Sequence, residues 1–170
     1  MSNLRTLKQV TRSDWKALRI LRAGFYKHGD NIRFVTLSGL NDFKKDFRVL
    51  KLWLKRQMGQ ISYFGVRTME GLGVVHLVYA GKSVRYGDLS KKWKEITGFW
   101  TVSISKVNNM DSILKEMIFQ RFKVRYFRST CWADKEVVVK TLQQTFDRDL
   151  LQEIYRTNNG NEPFGGRYIK

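Results

Sequence analysis

Residues Tyr63–Gly81, YFGVRTMEGLGVVHLVYAG, confine this chain to a fold that contains an antiparallel hairpin. Two short apolar runs flank the glycine-rich turn Met69–Gly73, and a connection that short joins neighbouring antiparallel strands. Side chains alternate along a strand, so Val74, His76 and Val78 share one face while Val75, Leu77 and Tyr79 share the other. One of only two histidines in the chain is thereby set among apolar neighbours. Such an imidazole is either a sheet histidine with a hydrogen-bond partner or a metal ligand, and this stretch alone leaves both open.

What surrounds the hairpin is strongly basic. Lys and Arg number 32 against 15 Asp and Glu, a formal charge of +17 on 170 residues. With 42% hydrophobic and 14% aromatic residues the chain is no disordered basic tail. Its length suits one domain with a real core. A compact domain with that charge repels itself unless an anion neutralises it, and the phosphate backbone of nucleic acid is the first expectation. An anionic membrane surface is the rival, and no membrane partner is expected. No run of 18 apolar residues occurs, and the opening MSNLRTLKQV has no apolar signal core. The expectation is an intracellular protein, in the cytoplasm of a host cell and not secreted. The single Cys131 excludes a disulfide framework and a multi-cysteine zinc site. One proline, Pro163, and no low-complexity run leave no linker or internal repeat to infer.

Periodicity places the other elements. A helix is expected over 13–27, with Trp15, Leu18, Leu21 and Phe25 on one face and Lys16, Arg19 and Arg22 left to solvent. Ile32–Leu37 reads as a strand. The helix expected over 42–57 carries Phe43, Phe47, Leu50 and Leu54 as one stripe and Lys44, Arg48, Lys51 and Lys55 as another. That second stripe is either a solvated face or a row of phosphate contacts. Strands over 61–68 and 74–80 form the hairpin, and Arg67 near the turn adds a further cation to the expected binding set. Asp88 is the expected cap of a helix running to Thr97 and stopped by Gly98. Trp100–Ser105 alternates as a half-buried strand with Thr101, Ser103 and Ser105 on its polar side. A helix over 111–122 runs into RFKVRYFRS, where Arg121, Lys123, Arg125 and Arg128 interleave with Phe122, Tyr126 and Phe127. Cations beside ring faces grip single strands by phosphate pairing and base stacking, although an edge strand guarded by charge looks the same. A last helix is expected over 135–155, seamed by Val138, Leu142, Phe146 and Leu150, followed by a loop-like tail.

This order reads as two interlocked βαβ units, an α+β fold of the split, ferredoxin-like kind. An antiparallel sheet of about five strands is expected, backed by helices and flanked by N- and C-terminal helices. Right-handed crossovers put both crossover helices on one face, leaving the other face for a ligand.

The succession FVTLS, DFKKDFRVLKLWLKR, YFGVRTMEGLGVVHLVYAG, LSKKWKEITGFWTVSISKV, a helix and RYFRSTCW resembles the catalytic core of rolling-circle replication initiators, the HUH-type endonucleases of small phages, plasmids and archaeal viruses. The resemblance covers about Ile32–Trp132 and rests mainly on GVVHLVY and WKEITG. It implies that His76 stands where the family has the first of two histidines holding a divalent cation, Mn²⁺ or Mg²⁺, with Glu70 in the turn as an oxygen ligand. Val78 occupies the second position and ligates nothing. The family's nucleophilic tyrosine sits on a following helix; here that helix reads DSILKEMIFQ, and Tyr126 beyond it is the nearest candidate. A tyrosine is protonated at neutral pH and needs a metal to stabilise charge on the attacked phosphate. No catalytic residue is therefore assigned.

Nucleotide, serine-hydrolase and zinc-protease motifs are missing. A Cys131–His76 pair lacks supporting spacing. Three readings remain: an initiator-like DNA-binding protein of a virus or plasmid acting in replication or genome handling without nicking, an active nickase using His76 and a displaced tyrosine, and a structural RNA-binding protein such as a ribosome-associated one.

Overall fold

The structure, a computed structural model, describes residues 12–39, 42–68, 73–99, 102–118 and 124–134. Its elements are α1 (Arg12–His28), β1 (Ile32–Ser38), α2 (Phe43–Met58), β2 (Ser62–Thr68), β3 (Val74–Ala80), α3 (Tyr86–Thr97), β4 (Val102–Lys106), α4 (Met110–Ile118) and β5 (Val124–Arg128). The strands form one antiparallel sheet in the order β4-β1-β3-β2-β5. The first four are in the order expected of two interlocked βαβ units, with β5 added beside β2. The expected helix over 135–155 lies outside the described residues, as do Trp100 and Thr101 of the expected fourth strand.

Alternation sorts the core. Val35, Leu37, Tyr63, Val75, Leu77 and Tyr79 point to one face and pack against Phe47, Leu50 and Leu54 of α2 and Leu89 and Trp93 of α3. Ile32, Phe34, Phe64, Val66, Val78 and Ala80 point the other way and meet Leu18 and Leu21 of α1 and Leu114 and Met117 of α4. Buried indole N–H groups are satisfied at both layers: Trp93 Nε1 donates to Ser38 O at 2.8 Å and Trp132 Nε1 to Ile20 O at 3.1 Å.

Helices on both faces overturn the expectation of an open sheet face. The cause is visible in the strands, where IRFVTL, YFGV and VVHLVYA are apolar at both alternations, so each face needs cover. What stays uncovered among the described residues is the β4 corner of the α1/α4 face, where Ser103 and Ser105 are exposed. Covering that face also changes α1: Arg22 is 1% exposed rather than solvated, with its guanidinium carbon 5.9 Å from the Tyr26 ring centroid. The α3 start differs as well. Arg85 occupies the cap position without a side-chain bond and Asp88 falls in the first turn, while Gly98 closes the helix in the left-handed region as expected.

Candidate nucleic-acid interface

The N-terminus of α2 is closed by its own carboxylates. Asp42 accepts from the Lys45 N–H at 3.3 Å, and Asp46 accepts from the Asp42 N–H at 3.1 Å. Capping of this kind fixes where the helix starts and hence which residues face the sheet. Phe43 and Phe47 then reach the ring of Phe127 on β5, at centroid distances of 5.0 and 4.9 Å. Phe127 can lie there because the residue beneath it on β2 is Gly65.

The aromatic cluster anchors the first turns of α2 over the β2–β5 side of the sheet. Residues three and four apart are neighbours on a helix surface. Lys44 and Lys51 therefore border Phe47 on one flank, and Arg48 and Lys55 extend the row. Lys51 is half-buried and the other three are exposed. Two residues along the strands from Gly65 and Phe127, on the same sheet face, stand Arg67 and Arg125, which are matched across β2 and β5. The Arg67 guanidinium carbon lies 5.0 Å from the Phe43 ring centroid, and Arg125 is exposed. None of Lys44, Arg48, Lys51, Lys55, Arg67 and Arg125 has a carboxylate partner among the described residues. The fold thus brings six of the expected binding residues to one side, with no carboxylate against them among the described residues.

The remaining members of that set part company. Strand alternation turns Tyr126 and the exposed Arg128 to the α1/α4 face, away from Arg125. The Tyr126 hydroxyl donates to Asp14 Oδ1 at 2.6 Å, and its ring packs on the core, 6.1 Å from Phe64. That ring is an anchor for α1 rather than a stacking platform. Arg121, Lys123 and Glu70 lie outside the described residues.

His76 is 8% exposed, stacked at 5.8 Å on Phe34, with its Nδ1 3.3 Å from Thr36 Oγ1. It shares a register row with Thr36, Val66 and Tyr126. Tyr126 thus stands on the same face two strand spacings away, about 10 Å. Its hydroxyl is committed to Asp14, and burial, aided by the bond to Asp14 and that carboxylate's charge, raises its pKa well above the ordinary tyrosine value. Among the described residues no three His, Cys, Asp or Glu side chains gather as a metal would require. Among the described residues His76 is one enclosed imidazole beside a hydroxyl, whereas a divalent cation takes several oxygen or nitrogen ligands; Glu70, the expected second ligand, lies outside them.

Sequence reading missed the roles of Phe43 and Gly65. Phe43 reads as core stripe, yet it also carries Arg67; Gly65 reads as an ordinary strand residue, yet it seats Phe127. It also missed His28, whose Nε2 donates to the Trp132 carbonyl at 3.2 Å and lies 3.0 Å from Ser62 Oγ. Burial lowers the pKa of that imidazole.

The class this defines is an α+β protein with a split βαβ sheet, a fifth edge strand and a basic flank above it. No family model, curated protein or solved structure matches the chain. No helix among the described residues is long and apolar enough to cross a membrane.

Proposed function

We propose that this chain is a nucleic-acid-binding protein, DNA being the first expected ligand, that takes the phosphate backbone along the α2 flank and the β2–β5 edge. The observation that carries the reading is the convergence of Lys44, Arg48, Lys51, Lys55, Arg67 and Arg125 on one side, without carboxylate partners among the described residues. In a chain of formal charge +17, such a flank binds polyanions by releasing their counterions. The strand order agrees with the split βαβ scaffold that the initiator resemblance implies, and the proposed role in replication or genome handling of a virus or plasmid rests on that resemblance. Fold alone does not decide function. Binding is favoured over nicking because Tyr126 is engaged with Asp14 and His76 is enclosed.

The test is fluorescence anisotropy with single-stranded DNA, duplex DNA and structured RNA of equal length over a salt titration. Single-stranded DNA is expected to bind best, with log K falling linearly in log salt. Replacing Lys44 and Lys51 by Gln should reduce that slope by about 0.7 for each phosphate contact removed. Unchanged affinity and slope would remove the α2 flank from the site, and a preference for structured RNA would transfer the protein to the RNA-binding class. His76→Ala is expected to leave binding intact, and incubation with Mn²⁺ to give no covalent adduct; an adduct lost on a Tyr→Phe change would make the protein a nickase.

A further inference from the structure

Arg67 and Arg125 are matched residues on antiparallel neighbours and project from the same sheet face. Matched side chains stand with Cβ atoms about 4.5–5.5 Å apart, where like charges weaken a strand pair. Proteins ordinarily relieve such a pair with a carboxylate, and neither arginine has one among the described residues. Arg67 is also held in position: its guanidinium carbon sits 5.0 Å from the Phe43 ring centroid, and Phe43 is wedged between Phe47 and Phe127 at 5.6 and 5.0 Å. Its Nε is enclosed and has no hydrogen-bond partner among the described residues. No hydrogen bond among the described residues uses the fork that distinguishes arginine from lysine at this position.

A charge pair that no described carboxylate relieves, with one member held by a ring and the other exposed, suits an external oxyanion. We infer that Arg67 and Arg125 act as a two-guanidinium clamp on a single phosphate group of the bound strand. Arg67, braced by Phe43, is the fixed jaw. Arg125, exposed at the edge strand, closes on the same phosphate from outside. Guanidinium forks match phosphate oxygens in pairs, and one anion between the two relieves the repulsion between them. This inference rests on the nucleic-acid reading above. The competing role, charge that merely keeps an edge strand from pairing with another chain, makes no demand for two arginines acting as a unit.

The experiment measures binding of a single-stranded oligonucleotide to the full chain and to Arg67→Gln, Arg125→Gln, their double variant and Arg125→Lys. Circular dichroism of each protein confirms that it is folded. Each Gln variant is expected to lose about tenfold in affinity. The double variant should lose little more than the weaker single, because both groups serve one phosphate. The salt slope should fall by about 0.7 in every Gln variant, once rather than twice in the double. Arg125→Lys should recover only part of the loss, since an ammonium lacks the fork. Without DNA, Arg125→Gln should melt no lower than the parent. Multiplying losses in the double variant would show two independent contacts and overturn the clamp. So would full affinity in both single variants while the Lys44 and Lys51 changes still weaken binding, and that result leaves the proposed function standing. If the parent binds no nucleic acid at low salt, clamp and function fall together.

Discussion

The ring of Phe127 occupies the space that a side chain at Gly65 would need. A Cβ built at Gly65 would come within 2.1 Å of Phe127 Cζ, and these two residues are matched across β2 and β5. The absent methyl lets β5 lie against β2 with an aromatic ring over the strand, and that ring receives Phe43 and Phe47 of α2. The basic flank of α2 and the arginine pair are side by side for this reason.

Gly65→Ala should therefore act at a distance. The added methyl has no room, so Phe127 must swing out and abandon its contacts with α2. Overpacking of this kind costs about 1–3 kcal/mol, read as a lower urea midpoint. The double change Gly65→Ala with Phe127→Ala should lose less than the two single losses combined, because the ring that clashes is gone. Additive losses would mean that the two residues do not share this space.

How much of this is legible in the chain differs by element. The hairpin, the α2 stripes and the alternation of Val102 and Ile104 against Ser103 and Ser105 are local periodicities, and the sequence displays them directly. Covered faces were equally on display, since strands apolar at both alternations need helices on each side; treating α1 and α4 as flanking elements hides that requirement. The Arg67–Arg125 match is of another kind. It depends on β5 docking beside β2 in one register, a pairing between residues far apart in the chain, and a slip of one residue would send Arg125 to the opposite face. His28 is hidden for the same reason, because its partners Ser62 and Trp132 come from β2 and the segment after β5.

Tyr126→Phe separates anchoring from ligand contact. The hydroxyl bonds at 2.6 Å to Asp14, which is 2% exposed, so its loss leaves a buried carboxylate without that donor. A stability loss of about 1.5–3 kcal/mol is expected, with DNA affinity unchanged. The alkaline limb carries the signature. Burial, with the bond to Asp14 and its charge, raises the folded-state pKa above the ordinary value of 10.0. The folded chain keeps a proton that the unfolded chain releases, so this contribution is complete below pH 10 and is lost as pH rises beyond it. Thermal melts of Tyr126→Phe above about pH 10 should decline less steeply than those of the parent. A weakened DNA affinity in a fully folded variant would instead make Tyr126 part of the interface.

The acid limb belongs in part to His28. Burial lowers its pKa below the ordinary 6.5, outweighing the Trp132 carbonyl bond; the Lys27 charge lowers it further and the Asp134 charge raises it. Lys27 is itself tied to Asp134 at 3.0 Å, which ties up part of that compensating negative charge. Here the sign is opposite to that of Tyr126. The unfolded chain takes up a proton first as pH falls, so the stability is complete above the unfolded value of 6.5 and is lost as pH drops towards the lower folded value. His28→Gln keeps a donor for the Trp132 carbonyl but cannot ionise at these pH values. Its melting temperature should lie below the parent's at neutral pH, and the gap should narrow by about pH 5. A gap that stays constant over this interval would show that the imidazole does not titrate differently on folding, and that His28 contributes packing alone.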